Sequence, residues 1–350
     1  MELIRLTIDG ISVQVTAAAS ILDAARQAGI SIPTLCHLAD LNPAGSCRMC
    51  VVKIEGLRTL SAACVQPVAE GMVVHTHTPE VLAARRMMLE FILANHPADC
   101  LACVKNMNCE LQSLSAELGV RTSRFEGKQR QYPIDDANVF IVRNNEKCIL
   151  CGRCVRTCQE LQVCDVLGFN ERGFGMKVAP AFDTPTHESS CVFCGACVSV
   201  CPVGALTEKD LYQAGSPDKK VRTTCPFCGV GCNFDLNVKD GLIVGVTSNP
   251  DSPVNGRLLC VKGRFGTDYI HSPLRLTTPM IRKNGQLEQA TWDEALDLVA
   301  DRFRETRRNH GPDSITALCS ARCTNEENYV LQKFMRAVIG TNSVDHCART

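Results

Sequence analysis

Cysteine dominates the chemistry that this sequence can perform, with 23 thiols in 350 residues. Most of them stand in groups with short, regular gaps, and thiolates spaced in this way hold zinc or iron–sulfur clusters. The start of the sequence, MELIRLTIDG, has no basic segment followed by an apolar one, so no secretory leader is expected. Disulfides do not persist in a reducing cytoplasm. The predicted location is therefore the cytoplasm, and the predicted use of the thiols is metal ligation.

Two of the cysteine groups form an internal duplication. Each has gaps of two, two and three residues, at Cys148, Cys151, Cys154 and Cys158 and again at Cys191, Cys194, Cys197 and Cys201. Bacterial ferredoxins use this run, and the fourth cysteine of each run ligates the other cluster. The spacing therefore predicts two four-iron clusters with crossed ligand sets. One set is Cys148, Cys151, Cys154 and Cys201, and the other is Cys191, Cys194, Cys197 and Cys158.

Three further groups supply four ligands each. A loop after an expected hairpin and helix carries the set for a two-iron cluster: Cys36, Cys47, Cys50 and Cys64. One mixed set has an imidazole: His96, Cys100, Cys103 and Cys109. The last set is Cys225, Cys228, Cys232 and Cys260. Nineteen cysteines and His96 thus make twenty ligands, enough for five clusters. The remaining thiols are expected to be buried as small apolar side chains: Cys164, Cys319, Cys323 and Cys347.

Other uses of the same residues stay open at this point. Structural zinc usually takes two separated cysteine pairs, so it competes best at the Cys225 group and poorly at the ferredoxin repeat. A disulfide framework is disfavoured without a secretory leader. His96 taken alone would be an ordinary histidine at a helix end, and its place before three cysteines favours a ligand.

Composition limits the partners and the architecture. The 37 basic residues balance 37 acidic ones, so no charge excess favours nucleic acid or a membrane surface. The sequence lacks a run of about 18 apolar residues, so no membrane-spanning helix is expected. Its length and its 45% apolar content predict two or more globular domains.

Local patterns predict the elements that position these residues. Alternating apolar residues around Asp9-Gly10 and Asp240-Gly241 predict two hairpins. Helices are predicted near residues 20–29 and after Thr78-Pro79. Polar stretches predict linkers at 120–138 and 211–222, and the tail from 291 reads helix, strand, helix. Two apolar helix faces are predicted: Val81, Ala84, Met88 and Phe91, and then Trp292, Leu296, Val299 and Phe303.

At these motifs the sequence resembles known families. Residues 1–110, with HPADCLACVKNMNCELQ, resemble a region shared by the G-type subunit of respiratory complex I, iron-only hydrogenases and several soluble formate dehydrogenases. The segments TTCPFCGVGCNFDLNV and LLCVKGRFG look like the four-iron module of molybdopterin-guanine-dinucleotide oxidoreductases. The stretch SARCTNEENYVLQKFMRAVIGTNSVDHCART is similar to the formate dehydrogenase branch of that family.

The resemblance implies an α+β multidomain fold. Its expected domains are a two-iron β-grasp at 1–78, a four-iron domain with one His and three Cys at 79–119, and a double four-iron ferredoxin at 138–210. A four-iron module of the pterin type follows at 221–277, and the start of a molybdopterin oxidoreductase α/β domain at 278–350.

The resemblance also implies the function. The chain is expected to be the N-terminal part of the catalytic alpha subunit of a formate dehydrogenase, truncated before the metal-ligating Cys or selenocysteine. In the full-length protein a molybdenum or tungsten bis(molybdopterin guanine dinucleotide) would interconvert formate and carbon dioxide. The expected electron-transfer path runs from the Cys225 cluster through the two ferredoxin clusters to the His96 cluster and the two-iron cluster. Lys262, two residues after Cys260, is expected between cluster and pterin in electron transfer, although a surface lysine is the simpler reading. The expected partners are flavin and NAD(P)-binding subunits, iron–sulfur electron-transfer subunits, or ferredoxin.

Two alternatives from other classes accompany this interpretation. One is a stand-alone iron–sulfur electron-transfer subunit without an active site. The other is a homologue of the complex I G-type subunit, which the second ferredoxin cluster and the TNEENY segment disfavour at the sequence level. Because the formate dehydrogenase motif runs into a metal-ligating Cys or selenocysteine after VDHCART, codon 351 is expected to be a UGA decoded as selenocysteine.

The ligand count predicts the iron content. One two-iron and four four-iron clusters require 18 iron atoms per chain, and anaerobic iron and sulfide analysis with EPR measures both numbers. Zinc in place of iron, or fewer than four four-iron signals, would contradict the ligand assignment.

Overall fold

The computed structural model describes residues 3–209 and 217–346. Within these ranges the chain divides into two compact units, residues 1–218 and 219–350. The described residues contain no helix that is long and apolar enough to cross a membrane.

A five-stranded sheet forms the first part of unit one, in the order β2-β1-β5-β3-β4. Its strands are β1 (Leu3–Ile8), β2 (Ile11–Thr16), β3 (Val51–Ile54), β4 (Ser61–Ala62) and β5 (Val73–His75). Asp9 and Gly10 make the predicted hairpin turn with φ of 46° and 83°, conformations that Asp tolerates and Gly favours. The helix α1 (Ile21–Gln27) is capped by Ser20 and Asp23 and buries Leu22 in the core of this sheet.

Two helices follow the sheet, α2 (Pro79–Leu93) and α3 (Glu110–Leu118). Thr78 caps α2 as predicted, but the predicted apolar face is only partly correct. The residues of α2 that are buried include Val81, Arg85 and Leu89, whereas Phe91 is 46% exposed. The guanidinium of Arg85 donates to the Val51 carbonyl at 2.9 Å, and this contact accounts for a charged residue on the inner face.

The ferredoxin-like part is held by β6 (Ile141–Arg143) paired with β9 (Leu206–Glu208). Two short helices lie between them, α4 (Arg153–Arg156), which runs into a π-helical turn at Thr157–Leu161, and α5 (Ala196–Val200). A hairpin of β7 (Gly168–Asn170) and β8 (Lys177–Ala179) separates the helices. The sequence duplication is repeated in the backbone. Leu150 and Phe193 have φ of 53° and 52°, and Gly152 and Gly195 have φ of 70° and 67°.

Unit two begins with the three-stranded sheet β10 (Lys219–Thr224), β11 (Asn233–Lys239) and β12 (Leu242–Ser248). The predicted linker 211–222 is therefore wrong over 219–222, which pair with β11, and residues 211–216 lie outside the described ranges. The predicted turn at Asp240-Gly241 joins β11 to β12. The short helix α6 (Val261–Phe265) packs near β12.

The rest of unit two contains β13 (Met280–Lys283), β14 (Gln286–Gln289), α7 (Trp292–His310), β15 (Ala317–Cys319), α8 (Asn325–Phe334) and β16 (Val344–His346). The strands β15 and β16 pair in parallel. Thr291 and Glu294 form the capping box of α7. Of its predicted apolar face, Phe303 packs on the small core around Met335, whereas Trp292 and Leu296 are 67% and 58% exposed.

The buried face of α1 predicts a matched pair of stability effects. Leu22 is fully buried, so Leu22→Ala should cost about 2–5 kcal/mol of unfolding free energy through lost packing and a residual cavity. Leu3 is 54% exposed, and Leu3→Ala should change that free energy by no more than about 0.5 kcal/mol. Urea unfolding followed by circular dichroism compares the two. Equal losses would contradict this description of the core.

Candidate metal centres

Three thiols on the loop after α1 and a fourth just after β4 lie close together. Cys36, Cys50 and Cys64 are buried and Cys47 is half-buried. Hydrogen bonds from the Cys47 and Cys64 thiols lower the pKa of Cys36, and one from Cys64 lowers the pKa of Cys50 to about 7. The same hydrogen bonds raise the pKa of Cys47 and Cys64, so Cys36 and Cys50 are the two thiols of the set that favour the thiolate, the form that ligates metal. The backbone N–H of Leu35 donates to the Cys47 sulfur at 3.4 Å.

The second set lies where α2 ends. Its three thiols lie near one another. Burial raises the pKa of Cys109, and the nearby Cys103 and Cys100 thiols raise it further. Burial lowers the pKa of His96, which keeps its imidazole neutral and able to ligate. The Nδ1 atom of His96 is buried and has no hydrogen-bond partner. A buried, unpartnered imidazole nitrogen just before three cysteines in the chain fits a metal ligand.

Residues of the ferredoxin-like part surround Cys103. Gly204 lies so close that a Cβ atom there would be 2.8 Å from the Cys103 sulfur. The Lys147 side chain lies beside the same position, since that Cβ atom would be 3.4 Å from its Cδ, and its ammonium forms a 2.7 Å ion pair with Asp99. Burial disfavours the charge of Lys147, but Asp99 and Cys103 outweigh it and raise its pKa.

Two cavities in the ferredoxin-like part separate its eight cysteines into two sets. The first cavity is lined by Cys148, Cys151, Cys154 and Cys201. The second is lined by Cys158, Cys191, Cys194 and Cys197, with Cys164 beside them. Each cavity is therefore lined by the four cysteines of one crossed set. The ligand assignment itself remains a prediction.

The sulfurs around these cavities are removed from water. Burial raises the pKa of Cys148 to about 11 and that of Cys151 to about 12. Backbone N–H groups nevertheless donate to sulfur at 3.4 Å, from Leu150 to Cys148 and from Phe193 to Cys191. Thiols of this kind become thiolates when they bind a cation, and N–H···S bonds tune the potential of an iron–sulfur cluster.

The Cys148 site adjoins both of the preceding sites. Arg153, which is 3% exposed, makes a bidentate ion pair with Glu110 at 2.6 and 2.9 Å, next to Cys109. A third cavity is lined by Cys47 on one side and Cys151 on the other. Arg156 also donates to the Cys36 carbonyl at 2.5 Å. This arrangement places the two-iron loop beside the ferredoxin-like part, and the expected order of electron transfer stays a prediction.

The fifth set lies within unit two. Cys225 and Cys232 are joined by a 2.7 Å backbone hydrogen bond, and Cys260 caps α6 by accepting from the Gly263 N–H. Burial raises the pKa of Cys232, and the nearby Cys228 and Cys260 thiols raise it further. Asn255 fixes the returning loop through bonds to the Asn233 backbone and the Leu258 carbonyl.

Other residues differ from the expectations. Lys262 is exposed on α6, so its proposed role depends on a group outside this structure. The unassigned thiols of Cys164, Cys319 and Cys323 are half-buried, not buried: Cys164 lies at a cavity edge, Cys319 ends strand β15 and Cys323 lies in a turn. Cys347 falls outside the described residues. Sequence reasoning missed Lys147 and Gly204, since nothing local relates either to Cys103. Across 3–209 and 217–346, no three His, Cys, Asp or Glu side chains converge on a single metal ion.

Family comparisons follow the same order along the chain. Residues 1–79 match a 2Fe-2S iron-sulfur cluster binding domain, 85–124 an NADH-ubiquinone oxidoreductase-G iron-sulfur binding region, and 139–207 the ferredoxin-like domain of NADH-quinone oxidoreductase subunit 3. Residues 218–272 match the molybdopterin oxidoreductase Fe4S4 domain, and 275–350 match molybdopterin oxidoreductase. The chain joins iron–sulfur domains of the complex I type to a molybdopterin oxidoreductase domain. The predicted α+β multidomain class is confirmed.

Curated relatives match almost the whole chain. A G-type subunit (G 2) of NADH-quinone oxidoreductase from Rhizobium meliloti is 41% identical over 99% of the chain and 40% of its own length. The NADPH-Fe(3+) oxidoreductase subunit alpha of Geobacter sulfurreducens is 37% identical over 99% and 40%. A Staphylococcus aureus protein named "Putative formate dehydrogenase" is 33% identical over 99% and 39%. The chain thus spans about 40% of the length of these relatives.

A solved structure agrees with the iron–sulfur part. The NAD+-reducing [NiFe]-hydrogenase in its H2-reduced state has a chain that is 29% identical, with a TM-score of 0.55 over 59% of this chain and 87% of that one. Two-iron and four-iron clusters and a molybdopterin-type cofactor are indicated for this chain, and its role is that of an iron–sulfur electron-transfer module.

One argument from the sequence is corrected by these matches. The second ferredoxin group does not disfavour a homologue of the complex I G-type subunit, because the subunit 3 ferredoxin-like domain matches 139–207 with both groups inside it. The TNEENY segment does not disfavour it either, since the Rhizobium G-type relative aligns over 99% of the chain.

The contact between Gly204 and Cys103 generates a prediction. In Gly204→Ala the new methyl group must displace the Cys103 sulfur, so the His96 site should lose its cluster and the chain about four iron atoms. A Cβ atom at Gly127 would meet nothing within 4 Å, so Gly127→Ala is the matched control. Iron analysis with EPR measures both variants, and a full complement in Gly204→Ala would refute the prediction.

Proposed function

We propose that this chain conducts electrons between a pterin-bound molybdenum or tungsten site that oxidises formate and a flavin, NAD(P) or ferredoxin partner. The observation that carries the proposal is the sorting of eight cysteines into two adjacent cavities, each with one crossed ligand set. Iron–sulfur clusters bound there would supply one-electron carriers. The Staphylococcus relative and the resemblance of residues 320–350 to the formate dehydrogenase branch support formate as the electron donor.

The residues of the chain would perform three tasks in this role. The cysteines and His96 would hold the clusters, and the burial of the sulfurs other than the exposed Cys100 and Cys260 would limit side reactions with water. Backbone N–H groups such as that of Leu150 would stabilise negative charge on the ligating sulfurs. Arg153 and Arg156 would keep neighbouring sites in contact through their bonds to Glu110 and the Cys36 carbonyl.

A second candidate function has its own support. The 41% identity with the Rhizobium G-type relative extends across 99% of the chain, and the matches at 85–124 and 139–207 are both of complex I type. In that role the same sites would pass electrons from NADH toward a quinone-reducing assembly, and no formate site would be required. The shared electron-transfer module is common to both candidates.

Anaerobic reduction distinguishes the two functions. The gene with its downstream sequence is expressed in its own host, and the purified assembly is mixed separately with formate and with NADH. Formate-dependent bleaching of the cluster absorbance, with carbon dioxide released in proportion, supports the formate proposal. Reduction by NADH with no response to formate, although pterin and metal are present, favours the complex I function instead.

Lys262 provides a test of the path next to the pterin. We expect Lys262→Ala to retain all iron and every EPR signal, because its side chain is exposed and ligates nothing, but to slow formate-dependent reduction of the clusters at least tenfold. Lys262→Arg should retain part of the rate, since it keeps a cation. Lys283→Ala, an exposed lysine on β13, is the control. An unchanged rate in Lys262→Ala would remove Lys262 from the path.

A further inference from the structure

We propose that Lys147 is a positioning residue that sets the reduction potential of the His96 site through the position of its side chain beside Cys103. The inference rests on the proposed ligand set, His96, Cys100, Cys103 and Cys109, and not on formate as substrate. Lys147 belongs to the ferredoxin-like part, immediately before Cys148, yet its side chain contacts the other site.

The geometry aims the charge of Lys147 at one sulfur. Only 9% of the Lys147 side chain is exposed, so little water screens its ammonium. The carboxylate of its partner Asp99 is 44% exposed and is therefore better screened. Gly204 covers the same Cys103 sulfur and would also contact the Lys147 stem through a Cβ atom, at 3.4 Å. The positive charge of Lys147 thus interacts with Cys103 with little screening by water.

The charge does not act equally on the adjacent Cys148 site. Arg130 donates to the Cys148 carbonyl at 3.3 Å. Lys147 contributes to the His96 site instead, so its removal should affect the two sites differently although it precedes Cys148 in the chain.

The sign of the effect follows from electrostatics. Reduction of the His96 site adds one electron and forms or breaks no bond, so the site becomes more negative by one charge. A buried cation beside a ligating sulfur stabilises the reduced form more than the oxidised form. Lys147 should therefore raise the midpoint potential of the His96 site, and Asp99 should lower it.

The test is an anaerobic redox titration of the cluster-loaded protein followed by EPR. His96→Cys identifies the relevant signal as the one whose midpoint it changes. In Lys147→Met we expect the ratio of reduced to oxidised site at a fixed potential to fall at least tenfold, which is a midpoint about 59 mV lower. In Asp99→Asn, which leaves Lys147 in place, the same midpoint should rise. Opposite shifts from the two partners of one ion pair are not expected from a structural defect.

A matched control is available in the two-iron domain. Lys53 and Glu80 form an ion pair of the same 2.7 Å length, but their side chains are 45% and 51% exposed. Glu80 lies in the first turn of α2 and His96 follows its last turn, so the length of the helix separates them. Lys53→Met should leave the His96 midpoint unchanged.

Each result bears on the proposal. An unmoved midpoint in Lys147→Met overturns it, as does an equal shift of every signal. If Lys147→Met loses the site, Asp99→Asn decides, because an upward shift supports the proposal and no shift overturns it. If no EPR signal responds to His96→Cys, the ligand set fails and the inference fails with it. The formate experiment is independent, since the potential can shift whether or not formate is oxidised.

Discussion

Burial of sulfur is the constraint on which the iron–sulfur half of this chain depends. Thiols that are removed from water resist ionisation, as the raised pKa values of Cys148 and Cys151 indicate, yet only thiolates ligate iron. The fold meets this conflict with short loops that turn backbone N–H groups toward sulfur, as at Leu150. These loops require left-handed residues in both repeats, and Gly152 and Gly195 supply them at the start of α4 and α5.

Charged side chains connect the sites across this dry interior. Arg153 reaches Glu110, Arg156 reaches the Cys36 carbonyl, and Lys147 reaches Cys103. Each of these cations lies within two residues of a ferredoxin cysteine and bonds a residue of another site. The ferredoxin-like part is therefore the centre on which the two-iron loop and the His96 segment converge. A carrier at the Cys148 site could exchange electrons with both neighbours.

The sequence predicts the features that are local. Two crossed sets follow from a repeated spacing, hairpins from Asp9-Gly10 and Asp240-Gly241, and helix starts from Thr78 and Thr291, because each depends on a few neighbouring residues. Contacts between distant segments were not predictable in this way. Arg85 on the inner face of α2 is explained only by the Val51 carbonyl opposite it. The roles of Lys147 and Gly204 depend on their position beside Cys103, which lies about 40 and 100 residues earlier in the chain.

The crossed pairing has a consequence for the segment between the repeats. With clusters bound, Cys154 and Cys201 would be tied at one site and Cys158 and Cys191 at the other. Residues 159–190, with β7 and β8, would then form a loop whose two ends are held together by both clusters. Lengthening such a loop raises the free energy of loop closure only slightly, by about 0.6 kcal/mol for each doubling of its length. Evolution can therefore enlarge or shorten this hairpin to suit different neighbours while the spacing of the carriers stays constant.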